Sequence, residues 1–215
     1  MKNYILWDLD GTLTDSKEGI IRCIQYALET FGMTPPPYES LSWCIGPPIN
    51  ETFKRLAPMA TEEEALKLVA LYRERFAPIG LYENRVYPFI VDILLEMKET
   101  RKQFLATSKP HIFANRIMVH FELTTYFQRI FGSELSGVRS NKAELIKYIL
   151  DQEKISPDDV FMIGDRKHDI IGAKANGIAS LGVTWGYGGR PELQEAGADH
   201  IFDAPQDLKA FLIKN

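Results

Sequence analysis

The stretch NYILWDLDGTLTDS, residues 3–16, decides how this chain folds. It begins with the apolar character of a strand, and Asp8 and Asp10 stand at the strand end. Gly11 then allows a sharp turn, and Thr12 can hydrogen-bond within that turn. The pattern predicts a strand whose exit loop can face two carboxylates toward one pocket. An acidic strand exit alone is more often a turn or a helix cap, so partners elsewhere in the chain are needed to give it chemistry.

Short strands alternate with helical stretches in the second half of the chain, which indicates a parallel sheet. The strands are predicted at KQFLATS (102–108), RIFGS (129–133), DVFMIGD (159–165), IASLGVTW (178–185) and ADHIF (198–202). Helices are predicted at about 89–100, 110–121, 141–153 and 168–176, and from Pro205 to the end. The predicted fold class is α/β, a Rossmann-like parallel sheet with helices on both faces.

A long interval between the first two strands of this sheet is almost wholly helical in character. Helices are predicted at 16–32, 48–57 and 61–77, with Pro35, Pro36 and Pro37 breaking the pattern between the first two. We interpret the interval as an inserted all-α cap. The predicted division is a core of residues 1–15 and 89–215 and a cap of residues 16–88.

Composition excludes several classes of protein. Hydrophobic residues are 45% and charged residues 25% of the chain, which is typical of a soluble globular protein. No apolar run reaches the length of a membrane span, and Asp8 interrupts the amino terminus before a signal-peptide core can form, so we expect no membrane partner and a cytoplasmic location. The net charge of −4 offers no basic surface for nucleic acid, which favours small substrates. The two cysteines have neither metal-site nor disulfide spacing.

Polar side chains follow several of the predicted strands. In an open parallel sheet, ligands bind beyond the carboxyl ends of the strands, so these positions are the candidate site. They are Asp8, Asp10, Thr107, Ser108 and Asp165, with Lys142 at the start of a helix. A lysine there opposes the helix dipole, which a buried anionic partner would explain, although a solvated surface lysine is the more common case.

Four acidic residues would meet in this cleft, and their mutual repulsion calls for a cation. They are Asp8, Asp10, Asp165 and Asp169. Asp165 and Asp169 are spaced as neighbours on one face of a helical turn, although Asp165 could simply cap that helix. Oxygen ligands without cysteine or histidine suit Mg²⁺, which is the expected cofactor.

The sequence resembles the haloacid dehalogenase superfamily, on its phosphoglycolate-phosphatase-like branch. The superfamily's motifs are matched in chain order by DLDGTLTDS (8–16), LATSK with Thr107, RSNKAE with Lys142, and GDRKHD (164–169). IGPP (45–48) and ENRVYP (83–88) also resemble this branch's helical cap, so the resemblance covers essentially the whole chain. One departure is Phe89, where the branch commonly has glycine, and it puts the hinge behaviour of the cap in doubt.

The resemblance implies a phosphatase in which Asp8 attacks phosphorus and becomes an aspartyl phosphate. Asp10 would protonate the leaving oxygen and later take a proton from the hydrolytic water. It further implies Mg²⁺ held by the Asp8 carboxylate, the Asp10 backbone carbonyl and Asp165, with Asp169 in support. Phosphate-binding groups would come from Thr107, Ser108 and Lys142. The implied partner is a small phosphorylated metabolite, and the chain would be a monomer or a homodimer.

Other functions remain open at this point. The same scaffold could carry 5'-nucleotidase or pyrophosphatase activity, or could be a phosphosugar mutase that returns the phosphoryl group to its substrate. A phospho-accepting signalling module without turnover is less consistent, because such modules carry the acceptor aspartate on a middle strand and lack a cap. A non-catalytic scaffold would be expected to have lost reactive groups, and all are present here.

Several further features received weaker interpretations. GYGG (186–189) lacks the GK[ST] ending of a phosphate loop and is interpreted as a flexible turn. His168, between two motif acids, is assigned no role. Arg73 and Arg75, with Tyr82 and Tyr87 nearby, could bring charge and aromatic surface to a substrate's leaving group, although such residues more often lie on a solvated helix face. IGPP is the better cap candidate for contact with substrate.

Overall fold

The computed structural model describes residues 2–215, and a six-stranded sheet, parallel throughout, forms its centre. Its strands are β1 (Tyr4–Trp7), β4 (Lys102–Pro110), β5 (Arg129–Ser133), β6 (Val160–Gly164), β7 (Ala179–Val183) and β8 (His200–Phe202), in the order β5-β4-β1-β6-β7-β8. Two short strands, β2 (Thr14–Asp15) and β3 (Arg85–Val86), form a separate antiparallel ribbon. The predicted α/β class with a parallel sheet is confirmed.

The described residues form nine α-helices, of which the first three lie in the interval between β2 and β3. They are α1 (Lys17–Thr30), α2 (Ile49–Leu56), α3 (Glu62–Arg75), α4 (Ile90–Lys98), α5 (His111–His120), α6 (Lys142–Glu153), α7 (Lys167–Ala175), α8 (Gly189–Ala196) and α9 (Pro205–Lys214). No helix of residues 2–215 combines the length and the apolar composition that a membrane crossing needs.

Strand β1 is the topological switch point of the sheet. It pairs in parallel with β4 on one side and with β6 on the other. The chain therefore leaves β1 between two strands whose connections run to opposite sides, which opens a crevice at their carboxyl ends. Asp8 and Asp10 follow β1 directly and so lie in this crevice.

Apolar side chains cover both faces of the sheet. One continuous cluster of buried residues includes Trp7 and Ile163 of the sheet and Phe53 and Leu68 of the inserted helices. A smaller cluster on the other face includes Leu6, which alternates with Trp7 along β1. Strands with hydrophobic residues on both faces are what a doubly covered parallel sheet requires.

The interval between β1 and β4 contains helices α1 to α3, a 3₁₀ segment at Tyr38–Cys44 and a π-helical turn at Phe76–Gly80. The chain enters and leaves it through the β2–β3 ribbon, in which Thr14 pairs with Val86 and Asp15 pairs with Arg85. The predicted boundaries at residues 16 and 88 lie close to this ribbon, and the division into core and cap stays a prediction.

Most predicted elements lie within a few residues of their observed bounds, and two kinds of element were missed. The short ribbon strands have two residues each, too few for an alternating pattern. Helix α8 was also missed, because two glycines and a proline precede or begin it.

Phe89 adopts a left-handed backbone conformation, with φ +66° and ψ −3°, immediately before α4. This conformation is unfavourable for a residue with a Cβ atom by about 1–2 kcal/mol, and glycine avoids the penalty. The Phe89 side chain is 52% exposed, so it gains little burial in return. The position where the resemblance leads one to expect glycine therefore has glycine-type geometry.

We expect Phe89→Gly to be more stable than Phe89→Ala by about 1 kcal/mol, since both lose the ring but only glycine relieves the backbone. Urea denaturation of both variants measures the difference. Phe31, with φ −77° at the end of α1, is the matched control at which alanine should be the more stable replacement. Equal stability of the two Phe89 variants would contradict the strain.

Candidate active site

The loop after β1 holds its two acids in a fixed, buried geometry. The Asp8 amide donates a 2.9 Å hydrogen bond to the Ile163 carbonyl, which extends the β1–β6 pairing by one residue. Gly11 then has φ +89°, and a Cβ atom there would lie 2.2 Å from Asp165 Oδ2. Asp8 and Asp10 are 5% and 7% exposed. The glycine of the motif is thus needed both for the turn and for the close approach of Asp165.

Lys142 lies at the centre of the acidic cluster. Asn141 caps α6 by accepting from two backbone amides of its first turn, which fixes the start of the helix. The Lys142 ammonium then contacts Asp8 Oδ1 at 2.8 Å and Asp169 Oδ1 at 2.8 Å, and it donates to the Ala106 carbonyl at 2.7 Å. The structure thus places Lys142 between two buried carboxylates.

Asp165 and Asp169 are held by the loop that joins β6 to α7. Asp165 accepts hydrogen bonds from the Thr12 hydroxyl at 3.3 Å and from the Tyr187 amide at 2.7 Å. Asp169 Oδ2 accepts from the Arg166 amide at 3.1 Å. Ligand atoms of Asp8, Asp165 and Asp169 all lie within 4.8 Å of one another.

This cluster carries more negative than positive charge. Burial raises the pKa of Asp8 to about 6, although Lys142 opposes the shift. Burial also raises the pKa of Asp165 well above its usual range, and the charges of Asp169 and Asp8 add to the effect. Burial alone would lower the pKa of Lys142, but Asp169 and Asp8 raise it above its ordinary value. Three close carboxylates with one ammonium suit an additional hard cation, so the donor set fits a divalent metal.

The Asp10 side chain points away from this cluster. Its Oδ2 pairs with the Lys109 ammonium at 2.8 Å, and both side chains are almost fully buried. Its Oδ1 is buried and has no hydrogen-bond partner in residues 2–215. The Lys109 ammonium also lies 4.7 Å from the centre of the Phe76 ring. Sequence reasoning missed Lys109, although its place directly after Thr107 and Ser108 was an available signal.

Thr107 and Ser108 lie where β4 approaches the crevice. Thr107 is buried and its hydroxyl accepts from the Lys109 amide at 3.2 Å. The Ser108 carbonyl accepts from the Ser133 hydroxyl at 2.8 Å, which ties the end of β4 to β5. Both residues line the same cleft as Asp8 and Asp10.

The cleft has a cavity volume of about 60 Å³, and the inserted helices supply much of its wall. Residues Gly46–Pro48 of the IGPP segment line it, so this segment lies over the acids. Three buried aromatic side chains also line it, namely Tyr72, Phe76 and Phe113. Arg73, for which the sequence leaves a substrate contact and a solvated helix face open, lines the cleft and donates to the Leu135 carbonyl at 2.9 Å.

The GYGG segment, to which the sequence analysis gave no role, contacts the acidic cluster. The Tyr187 amide bonds to Asp165, and the Tyr187 hydroxyl donates to Asp15 at 2.8 Å. A Cβ atom at Gly186 would lie 2.3 Å from Asp165 Oδ2 and 2.3 Å from the Gly11 carbonyl oxygen. Only glycine allows the segment to pass so close to these atoms. Its position after a predicted strand was the signal that could have identified it.

Residues 5–183 match the family model for haloacid dehalogenase-like hydrolases. The chain belongs to this family. Among its relatives, a 5'-nucleotidase of Pseudomonas aeruginosa is 44% identical over 191 residues, which are 88% of this chain and 86% of that protein. Phosphoglycolate phosphatase 1 of the same organism is 29% identical, over 91% of this chain and 75% of that protein.

One relative is named as a kinase and not as a phosphatase or nucleotidase. Tyrosine-protein kinase PtkA of Mycobacterium tuberculosis is 34% identical, over 86% of this chain but only 62% of that protein. Among solved structures, a predicted phosphatase from Clostridium acetobutylicum superposes with a TM-score of 0.96 at 39% identity, covering 100% of both chains. The predicted family and the predicted enzyme class, a phosphoric monoester hydrolase of the haloacid dehalogenase type, are confirmed.

We expect Gly186→Ala to weaken binding of a divalent cation by at least about tenfold, because its Cβ atom would displace Asp165 or the Gly11 carbonyl. The measurement is the rise in Tm on titration with Mg²⁺. Gly182→Ala is the matched control, since a Cβ atom there first meets the end of the Leu193 side chain at 3.1 Å, which can adjust. Wild-type cation affinity in Gly186→Ala would contradict the role of this close contact.

Without a divalent cation, the contribution of Asp8 to the free energy of unfolding should fall as the pH rises from about 4 to about 6. The pKa of Asp8 is raised from its ordinary 3.8 to about 6 in the folded protein, so the folded state binds this proton more tightly than the unfolded state. The stabilisation is fully present below the unfolded pKa and is lost above the folded pKa.

The measurement is urea denaturation of wild type and Asp8→Asn in EDTA at several pH values. The difference between the two proteins isolates Asp8 from the other acids, several of which have lowered pKa values. Wild type should lose stability relative to the variant as the pH rises. A difference that is constant with pH would show that Asp8 does not titrate as expected.

Proposed function

We propose that this protein hydrolyses small phosphate monoesters in a Mg²⁺-dependent reaction with Asp8 as the covalent phosphoryl acceptor. The observation that carries the proposal is the position of the Asp8 carboxylate, which lies in the cleft with Oδ1 bonded to Lys142. That bond leaves Oδ2 as the attacking atom. Thr107 and Ser108 line the same space, where their hydroxyl and amide groups would bind the phosphoryl oxygens.

The first half-reaction transfers the phosphoryl group to the protein. Asp8 Oδ2 forms a bond to phosphorus while the bond from phosphorus to the leaving oxygen breaks, and the Asp10 carboxyl gives its proton to that oxygen. Lys109 contacts Asp10 Oδ2, whereas Asp10 Oδ1 has no hydrogen-bond partner in the described residues. Lys142 would compensate negative charge on Asp8 and on the phosphoryl oxygens.

The second half-reaction returns the protein to its starting state. The Asp10 carboxylate takes a proton from water as the water oxygen attacks phosphorus, and the bond from phosphorus to Asp8 Oδ2 breaks. Inorganic phosphate leaves, and Asp10 is again protonated for the next substrate. One carboxyl group serves both steps, which requires that its side chain stay free of the metal.

Mg²⁺ would be held by the Asp8 carboxylate, the Asp10 backbone carbonyl and Asp165, with Asp169 in support. The cation supplies positive charge beside the transferring phosphoryl group and offsets the repulsion among the buried acids. Residues 16–88 would act as a cap that excludes water from the cleft. The cytoplasmic location and the monomeric or homodimeric state stay predictions.

The substrate is expected to be small, as in a phosphoglycolate phosphatase, and a 5'-nucleotide is the second candidate. The 44% identity to the P. aeruginosa 5'-nucleotidase favours the second candidate. The aromatic wall of Tyr72, Phe76 and Phe113 also favours it, because such rings can pack against a nucleobase. Release of phosphate from 2-phosphoglycolate, 5'-nucleotides, sugar phosphates and pyrophosphate, with product analysis for isomerised sugar phosphate, separates these activities and the mutase.

We expect Asp8→Asn to lower phosphate release by at least about 10³-fold with Mg²⁺ present, since an amide is not a phosphoryl acceptor. Asp10→Asn should also be inactive, and mass spectrometry should show one added phosphoryl group if the second step is the slower one. Asp203→Asn, an exposed acid bonded to Arg190, is the control and should keep wild-type activity. Near-normal turnover by Asp8→Asn would reject the covalent route.

A further inference from the structure

Arg166 connects the metal loop to the inserted helices. It follows Asp165 directly and precedes α7, and its side chain is buried. Its guanidinium Nη1 donates to the carbonyl of Ile45, the first residue of the IGPP segment. One side chain therefore joins the residue next to a metal acid to the segment that covers the cleft.

The other side of the guanidinium is held in place by Glu192 of α8. Arg166 Nε contacts Glu192 Oε1 at 2.9 Å, and the same oxygen accepts from the Lys167 amide at 2.8 Å. A Cβ atom at Gly188 would lie 2.2 Å from the Asp165 carbonyl oxygen and 3.0 Å from Glu192 Oε1. Glycine at this position therefore lets the chain pass close to the Asp165 backbone, beside the ion pair. Glu192 both neutralises the buried charge and fixes its direction.

The IGPP segment has a shape that fits Arg166. Gly46 has φ +104°, and a Cβ atom there would lie 2.9 Å from Arg166 Cγ and 3.2 Å from Nη1. The backbone of the segment therefore lies directly on the arginine side chain. Gly46, Pro47 and Pro48 in turn line the cleft with Asp8 and Ser108.

Other hydrogen bonds from the inserted helices to the rest of the chain are exposed, such as that of Arg73 to the Leu135 carbonyl at 2.9 Å. Arg116 of α5 donates to the Ala77 carbonyl at 2.7 Å, and that contact is exposed. Water competes for the donor and the acceptor at an exposed position. Such a hydrogen bond therefore contributes less stability than a buried hydrogen bond whose donor has no alternative partner. Arg166 is thus the bridge best placed to hold the segment down at the phosphate end of the cleft.

We propose that Arg166 is a positioning residue that seats the Ile45–Pro48 segment over the reacting groups, with Glu192 holding it in that orientation. The importance of this seating for turnover rests on the proposed function, whereas the contact itself does not. When the inserted helices move away from the sheet, the Ile45 carbonyl must leave the guanidinium. Loss of Arg166 should therefore increase local opening of the segment without unfolding the protein.

Cys44 offers a direct probe of this opening. It adjoins Ile45, lines the cleft and is 3% exposed, and burial raises the pKa of its thiol to about 12. Cys23, the other cysteine of the chain, is buried within the inserted helices themselves. Opening of the IGPP segment would expose Cys44 and leave Cys23 covered, whereas global unfolding would expose both.

The experiment measures the rate of thiol modification by iodoacetamide in two backgrounds, Cys23→Ala and Cys44→Ala. Arg166→Met should increase the modification rate of Cys44 by about tenfold or more, the effect of losing one buried charged hydrogen bond, and should leave the rate of Cys23 unchanged. Glu192→Gln should change the Cys44 rate in the same direction. Arg116→Met is the matched control and should have little effect on either thiol.

An unchanged Cys44 rate in Arg166→Met would overturn the proposal, and so would equal increases for both cysteines. The labelling needs no turnover, so a protein inactive on every phosphate ester would refute the proposed function while leaving this test intact. Where wild type is active, Arg166→Met should also lower kcat/KM for phosphate release, while Arg116→Met should not. Wild-type kcat/KM in Arg166→Met would contradict the seating role.

Discussion

The contact of one buried ammonium group with two buried carboxylates is the constraint on which the rest of this structure depends. Lys142 lies 2.8 Å from both Asp8 and Asp169, and removal of one member of such a buried pair typically costs about 3–5 kcal/mol. The backbone is shaped around it. A Cβ atom at Gly172 would lie 2.9 Å from Lys142 Cγ, and one at Gly164 would lie 2.1 Å from Asp169 Cγ. Three carboxylates around one ammonium leave an excess of negative charge, which makes the centre suited to a divalent cation.

The sheet topology explains why these groups meet. Because β1 is the switch point, the loops after β1, β4 and β6 open onto one crevice, and α6 brings Lys142 to it from the side. The loop after β7 completes the arrangement through the Tyr187 amide on Asp165. The inserted helices then close the crevice, with Gly46 resting on Arg166. Asp8, Asp10, Asp165, Asp169 and the IGPP segment are therefore positioned by backbone segments that leave no space for side chains at several glycines.

The sheet, and the polar side chains that meet at the carboxyl ends of its strands, could be predicted from the sequence because each rests on a local pattern; their roles stay predictions. Strand alternation, the turn at Gly11 and the acids at 165 and 169 can all be identified without knowing the fold. The missed features depend on contacts between distant residues. Lys109 is significant only because Asp10 lies opposite it, and Gly186 only because Asp165 approaches it. The left-handed conformation of Phe89 likewise depends on the path of the chain out of the ribbon, which overrides the preference of phenylalanine.

The most direct test of the central claim is a crystal structure of the protein with Mg²⁺ and beryllium fluoride, which mimics an acyl phosphate. The expected result is beryllium bonded to Asp8 Oδ2, a cation contacting Asp8 and Asp165, and Lys142 still bonded to Asp8 Oδ1. Beryllium on another side chain, or Asp8 turned away from Lys142 into the core, would contradict the assignment of Asp8 as the phosphoryl acceptor.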